Sequence, residues 1–296
     1  MALGLATSGC NKKEEAKPAP TTTDPAAKTD PATDPGKTDP SEPTPARPDP
    51  LLVRGEYLSN LMGCQQCHTP FGPQGPDTSK AWTGGLTIPE KFGTWVSPNI
   101  TQDKKTGIGE WTDEQIIKSI REGIRPDGSR LYPVMPYAFY HQLSNDDAKA
   151  LVAYLRTIEP IENKIERVEL ELPPIKLPSA AGKPAPEKGI ARGAYLAALM
   201  HCAACHSPPG KNGAPDMMRA FAGGFPFELP MLGEGVLYAS NLTPHETGIK
   251  DYTDEHLRDA IRSMKKRDGK MIEGPMALYI SCLLYTSDAA DDDYTG

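Results

Sequence analysis

Four of the six cysteines in this 296-residue chain fall into two copies of one pentapeptide frame. The copies are Cys64-Gln65-Gln66-Cys67-His68 and, 138 residues later, Cys202-Ala203-Ala204-Cys205-His206. Two thiols three residues apart can reach the two vinyl groups of one haem and form thioether bonds. The imidazole that follows can then ligate the iron from the proximal side. A single Cys-x-x-Cys-His could also be half of a zinc site, a disulfide pair or an accident, and zinc would need a second ligand pair. Two copies inside one longer repeat favour two covalently bound c-type haems. Cys64, Cys67 and His68 would hold one, and Cys202, Cys205 and His206 the other.

Each iron then wants a sixth ligand, and a methionine sulfur opposite histidine is a common choice. Met135 is the only methionine between His68 and the end of the first copy, in the proline-bracketed stretch Tyr132-Pro133-Val134-Met135-Pro136-Tyr137. His141 is its nearest rival and reads as a surface histidine. The second copy offers Met217, Met218, Met231, Met264, Met271 and Met276. Asp127 to Met135 and Asp268 to Met276 are both eight residues, which selects Met276 and leaves Met271 in reserve. The other four read as core fillers.

Around these residues lies a tandem duplication. Arg54-Gly55-Glu56-Tyr57-Leu58 recurs as Arg192-Gly193-Ala194-Tyr195-Leu196, and Gly84-Gly85 as Gly223-Gly224. Asn99-Ile100-Thr101 recurs as Asn241-Leu242-Thr243. Thr106-Gly107-Ile108 with Trp111-Thr112-Asp113-Glu114 recurs as Thr247-Gly248-Ile249 with Tyr252-Thr253-Asp254-Glu255. The copies occupy 51–160 and 191–281, joined by a proline-rich connector at 161–190.

Each copy reads as mainly helical. A helix over 54–63 presents Tyr57, Leu58, Leu61 and Met62 on one face and leads into the first motif. Thr112 with Gln115 forms a capping box that opens a helix over 113–122; Thr253 and His256 take the same slots with a weaker box. Ser144 opens a helix over 145–157, whose stripe is Ala148, Leu151, Val152 and Leu155, and Pro160 stops it. The loops at 69–99 and 123–136 are long and rich in Gly and Pro. A large flat apolar group such as haem explains them, because it replaces core that few side chains can build.

The two ends are of another character. Residues 1–10 resemble the end of a bacterial lipoprotein signal, with Cys10 as the lipidation site; the apolar stretch is short and no basic residue precedes it. Residues 11–50 are Lys, Glu, Ala, Pro, Thr and Asp, too polar to fold, and read as a disordered tether that would lift the body off a membrane surface. No run of eighteen apolar residues exists in the sequence, so no membrane-spanning helix is expected. From Cys282 to Gly296 the chain resembles the in-frame translation of a sequencing adapter, and it is set aside from fold reasoning. Its four aspartates account for the difference between a formal charge of −7 and one of −3 for the remainder. No basic stripe suggests nucleic acid. If 282–296 is foreign, the second copy ends five residues after Met276 and lacks the closing helix that 145–157 supplies to the first.

These motifs, together with Asn99-Ile100-Thr101 through Thr106-Gly107-Ile108-Gly109-Glu110-Trp111-Thr112-Asp113, make each copy similar to class I cytochrome c. They resemble in particular the cytochrome subunits of bacterial membrane-bound alcohol, gluconate and sorbitol dehydrogenases. The resemblance implies a mainly α fold of two tandem class I domains, with long Gly/Pro-rich loops wrapped round haem. In that family an N-terminal helix crosses a C-terminal one, so Gly55 would permit close approach opposite Tyr154 and Leu155. Asn99, Trp111 and Arg121 become candidates for contacts near the haem or its propionates, or for capping and packing. The dehydrogenase subunits typically carry three haem units, against two here.

With both axial positions filled, substrate cannot reach iron. The expected role is therefore electron carriage between redox protein partners, a dehydrogenase donor and a respiratory acceptor, on the periplasmic side and tied to the membrane by lipid. Two alternatives stay open. One is a piece of a three-haem dehydrogenase subunit; the other, an enzyme, is a dihaem peroxidase, against which the equivalent methionines argue.

Overall fold

The computed structural model describes residues 48–72, 75–90, 93–167, 177, 183–211, 213–227, 235–272, 274 and 276. The signal-like segment with Cys10, nearly all of the tether, the middle of the connector and everything beyond Met276, Cys282 included, lie outside the described residues.

The first copy is built around two crossing helices, α1 (Pro50–Leu61) and, far along the chain, α5 (Asn145–Leu155). Helix α1 starts earlier than the apolar pattern suggests. The Asp49 side chain accepts from the Leu51 N–H and Pro50 takes the first turn, where a missing N–H costs nothing. The helix α2 (Cys64–Cys67) follows Gly63, whose φ of 71° reverses the chain at little steric cost. Among the described residues three short antiparallel hairpins lie in the loops: β1 (Phe71–Gly72) with β2 (Gly75–Pro76), β3 (Thr87–Glu90) with β4 (Gly93–Val96), and in the second copy β5 (Pro226–Phe227) with β6 (Leu237–Tyr238). Helix α3 (Asp113–Glu122) begins on the Thr112 capping box with both reciprocal bonds made, and it ends on left-handed Gly123. The short α4 (Tyr137–Tyr140) follows the Met135 loop. Helix α5 stops at Leu155, two residues short of the expected end: Arg156 caps it, and the next two N–H groups, of Thr157 and Ile158, bond three residues back to Tyr154 O and Leu155 O.

Leu58, Leu61 and Met62 from the α1 side meet Leu151, Val152 and Leu155 of α5, all buried. Each such side chain contributes about 1.5–3 kcal/mol on leaving water. A Cβ on Gly55 would lie 2.1 Å from Ala150 O and 2.6 Å from Tyr154 Cβ. Ala150 and Tyr154, one turn apart, therefore line the crossing. Leu155, expected there, points into the core instead.

The second copy supplies α6 (Gly189–Leu199), α7 (Cys202–His206) and α8 (Asp254–Arg262). Tyr195 and Leu199 of α6 belong to the same buried cluster as α1 and α5, so the second copy is docked on the first through α6. The start of the connector also packs back: Ile161 O accepts from Asn99 Nδ2 at 2.8 Å and from Thr101 Oγ1 at 3.1 Å. No described helix is long and apolar enough to cross a membrane.

Candidate haem-binding sites

Both attachment motifs sit on a single helical turn, α2 or α7, that begins on a left-handed residue. This turn brings the paired cysteines to one side and leads directly into the histidine. His68 is buried, and its Nδ1 lies 2.8 Å from Pro98 O. His206 Nδ1 lies 2.8 Å from Ser240 O. A carbonyl oxygen only accepts, so Nδ1 carries the proton in both rings and Nε2 keeps its bare lone pair. That tautomer is what an iron ligand needs, and the bond to the carbonyl fixes the ring's direction. Burial lowers the His68 pKa from 6.5, with the Pro98 bond acting against it, so the ring stays neutral.

The loop that carries those carbonyls is the same in both copies. Gly84 N donates to His68 O and Gly223 N to His206 O. Trp82 O accepts from Ile100 N, and Phe221 O from Leu242 N. Trp82 and Phe221 both adopt positive φ, 71° and 65°, which an aromatic residue holds only when its surroundings require it. Asn99 Nδ2 donates to Thr106 Oγ1 and Asn241 Nδ2 to Thr247 Oγ1, both at 3.0 Å. Asn99 therefore braces the turn that presents Pro98 O. Arg121 donates to Asn145 Oδ1 and Leu143 O at the start of α5, while its buried Nε has no partner among the described residues.

Met135 packs against the core cluster, its N–H donating to Tyr132 O and its carbonyl accepting from Tyr137 N. In the second copy Met276 is half-buried. The antiparallel bridges Ile124–Arg130 and Lys265–Met271 stand at one constant offset. Met271 therefore takes the slot of Arg130 and is 53% exposed, while Met276 keeps the register of Met135.

The chemistry of the donor set fits haem better than zinc or redox chemistry. Desolvation pushes the Cys64 thiol up to about 12 and the Cys202 thiol to about 11. Reactive Cys-x-x-Cys pairs run the other way. Among the described residues, no three His, Cys, Asp or Glu side chains converge as a metal cluster would require. The buried Trp95 Nε1 has no hydrogen-bond partner among the described residues, although its ring stacks on Tyr132 at 3.6 Å beside the Met135 loop. An indole N–H left so needs an acceptor, and a propionate is one. Sequence reasoning passed over Trp95, because no local motif marks it.

Residues 52–159 match the cytochrome c family model. The first copy is a cytochrome c domain. Cytochrome c domains bind haem c covalently. The chain is 34% identical over 258 residues to the fructose dehydrogenase cytochrome subunit of Gluconobacter japonicus, covering 81% of this chain and 50% of that protein. It is 36% identical over 176 residues to the cytochrome c subunit of the quinone alcohol dehydrogenase of Gluconobacter oxydans, covering 54% of this chain and 36% of the relative. It is also 35% identical over 186 residues to a diheme cytochrome c-type protein of Cereibacter sphaeroides, covering 58% and 62%. In each case the match spans less than two thirds of the relative. The cytochrome c domain at 52–159 and its repeat together give the mainly helical tandem expected from the sequence.

Proposed function

We propose that this chain is a dihaem c-type cytochrome that relays single electrons between a membrane-associated dehydrogenase and a respiratory acceptor. The observation that carries the reading is the doubled attachment motif with each proximal histidine held in the metal-ligating tautomer by a loop carbonyl. The bound group supplies the one-electron ferric–ferrous couple. Cys64 and Cys67, and Cys202 and Cys205, tether it in either state. His68 and His206 would hold the iron through Nε2, and Met135 and Met276 through sulfur. Pro98 O and Ser240 O keep each imidazole from rotating. The neutral methionine sulfur favours the reduced state relative to a second imidazole. Held so, these residues would keep substrate and peroxide from the iron and leave electron transfer to a docked partner.

The lipid anchor at Cys10, the flexible tether and the periplasmic location belong to the same proposal. The dehydrogenase-subunit names of the relatives support a donor of that class, and with it the second reading, a portion of a longer dehydrogenase cytochrome. Mass spectrometry of the denatured chain should give two haem additions. Met135→Leu should make one haem bind carbon monoxide when reduced, while the parent binds none. One addition, or a reduced spectrum unchanged by carbon monoxide in the variant, refutes the assignment.

A further inference from the structure

Between the two attachment motifs the chain is nearly continuous by another route than its backbone. His201 immediately precedes Cys202, and its ring lies against Tyr140, with centroids 6.1 Å apart and planes tilted by 55°. Tyr140 is buried, and its hydroxyl donates at 2.7 Å to the carbonyl of Met62, two residues before Cys64. One ring contact and one hydrogen bond thus join the residue before Cys202 to the carbonyl two residues before Cys64.

We propose that Tyr140 and His201 are the electronic bridge between the two attachment motifs, and that Tyr195 positions them; the proposal rests on the dihaem reading above. Tunnelling decays less steeply along bonds, hydrogen bonds and ring contacts than across gaps, so a short bonded route dominates exchange between redox centres. The two residues would carry one electron from a reduced centre to an oxidised one. No bond forms or breaks, no proton moves, and neither side chain is itself oxidised.

Two further observations support the assignment. His201 takes a left-handed backbone, φ 44° and ψ 35°, at the position where the first copy uses Gly63 at φ 71° and ψ 30°. The turn itself asks for glycine, so the imidazole is retained against local strain, as happens where a side chain has work to do. Burial also drops the His201 pKa to about 4, keeping the ring neutral against Tyr140. Second, the contact is held from both sides. Tyr195 Oη donates to Asp147 Oδ2 at 2.7 Å and accepts from Ser144 N at 3.1 Å. Arg54 clamps the same carboxylate from within the first copy at 2.8 and 2.9 Å. The α6 helix therefore cannot slide on α5 without breaking this set.

The test uses the full holoprotein and three variants, His201→Gly, Tyr140→Phe and Tyr195→Phe. Intramolecular electron exchange would be followed after flash reduction of a half-reduced sample. Small-angle scattering would report docking of the copies, and mass spectrometry would report haem content. His201→Gly installs the residue the first copy uses, so scattering, haem content and both midpoint potentials should match the parent while exchange slows severalfold. Tyr140→Phe should slow exchange without loosening the docking; Tyr195→Phe should loosen docking and slow exchange together. Two haems with unchanged exchange in both His201→Gly and Tyr140→Phe would overturn the bridge alone. Fewer than two haems in the parent would overturn the dihaem reading, and the bridge with it.

Discussion

Ile120 and Ile261 occupy the same slot in the two copies, on a helix opened by a threonine capping box and one step before an arginine, yet Ile120 is 7% exposed and Ile261 47%. The contrast extends to the glycines. A Cβ at Gly55 would strike Ala150 O at 2.1 Å, whereas a Cβ at Gly193 meets nothing within 4 Å among the described residues. Against this, the local bonds are duplicated closely, including both capping boxes, both His–carbonyl contacts and both Asn–Thr braces. The difference separates two kinds of information. Hydrogen-bonded turns are specified by residues close in sequence and form in either copy. Burial depends on elements that arrive from far along the chain, and in the described residues only the first copy has them.

Substitutions in matched slots sharpen this comparison. The largest effect is expected from Leu151→Ala, which empties a fully buried site in the first core. It should cost about 2–5 kcal/mol, against about 0.5 kcal/mol or less for Ile261→Ala on the exposed face of α8, both read from guanidinium unfolding of the holoprotein. Next is the glycine pair. Gly55→Ala should destabilise by about 1–3 kcal/mol, because a backbone carbonyl must move, while Gly193→Ala should stabilise α6 by up to about 1 kcal/mol through helix propensity. Equal shifts of the same sign in thermal melts would break the contrast.

Acid should act on the contact between the copies. Burial raises the Asp147 carboxyl, but Arg54 and Tyr195 outweigh it and leave the folded value below 3.8. A depressed carboxylate stabilises fully above its unfolded pKa and loses that contribution as pH falls through the folded one. Docking followed by small-angle scattering should therefore hold down to about pH 4 and weaken below it, and Asp147→Asn should weaken it already at neutral pH. The smallest effects are expected at the caps. Thr112→Ala and Thr253→Ala should each cost about 1 kcal/mol and by similar amounts; a silent Thr253→Ala would mean that the second box contributes nothing in solution.

What was legible in the sequence follows the same division. The repeated Cys-x-x-Cys-His frames, the bounds of α3 and the apolar stripe of α5 could be read because each depends on neighbours a few residues apart. The return arm of the second capping box, from Thr253 N to His256 Nδ1, is 3.2 Å against 2.8 Å in the first, in line with the weaker signal there. The start of α1 was missed although Asp49-Pro50 was a usable cue. Ala150 rather than Leu155 faces Gly55 because residues four apart share a helix face, and Tyr154 pairs with Ala150. Trp95 and Tyr195 could not be found by spacing. One is buried by a stack on Tyr132 and the other by a bond to Asp147, 48 residues away.

The salt bridge from Arg54 to Asp147 spans 93 residues, and the crossing of α1 with α5 it accompanies encloses nearly the whole first copy. During synthesis, Cys64 and Cys67 emerge long before α5, the helix that packs on α1. An interval therefore exists in which both thiols stand on an open chain, and even after α5 arrives Cys67 stays exposed and Cys64 half-buried, so the attachment edge remains within reach of whatever machinery attaches haem.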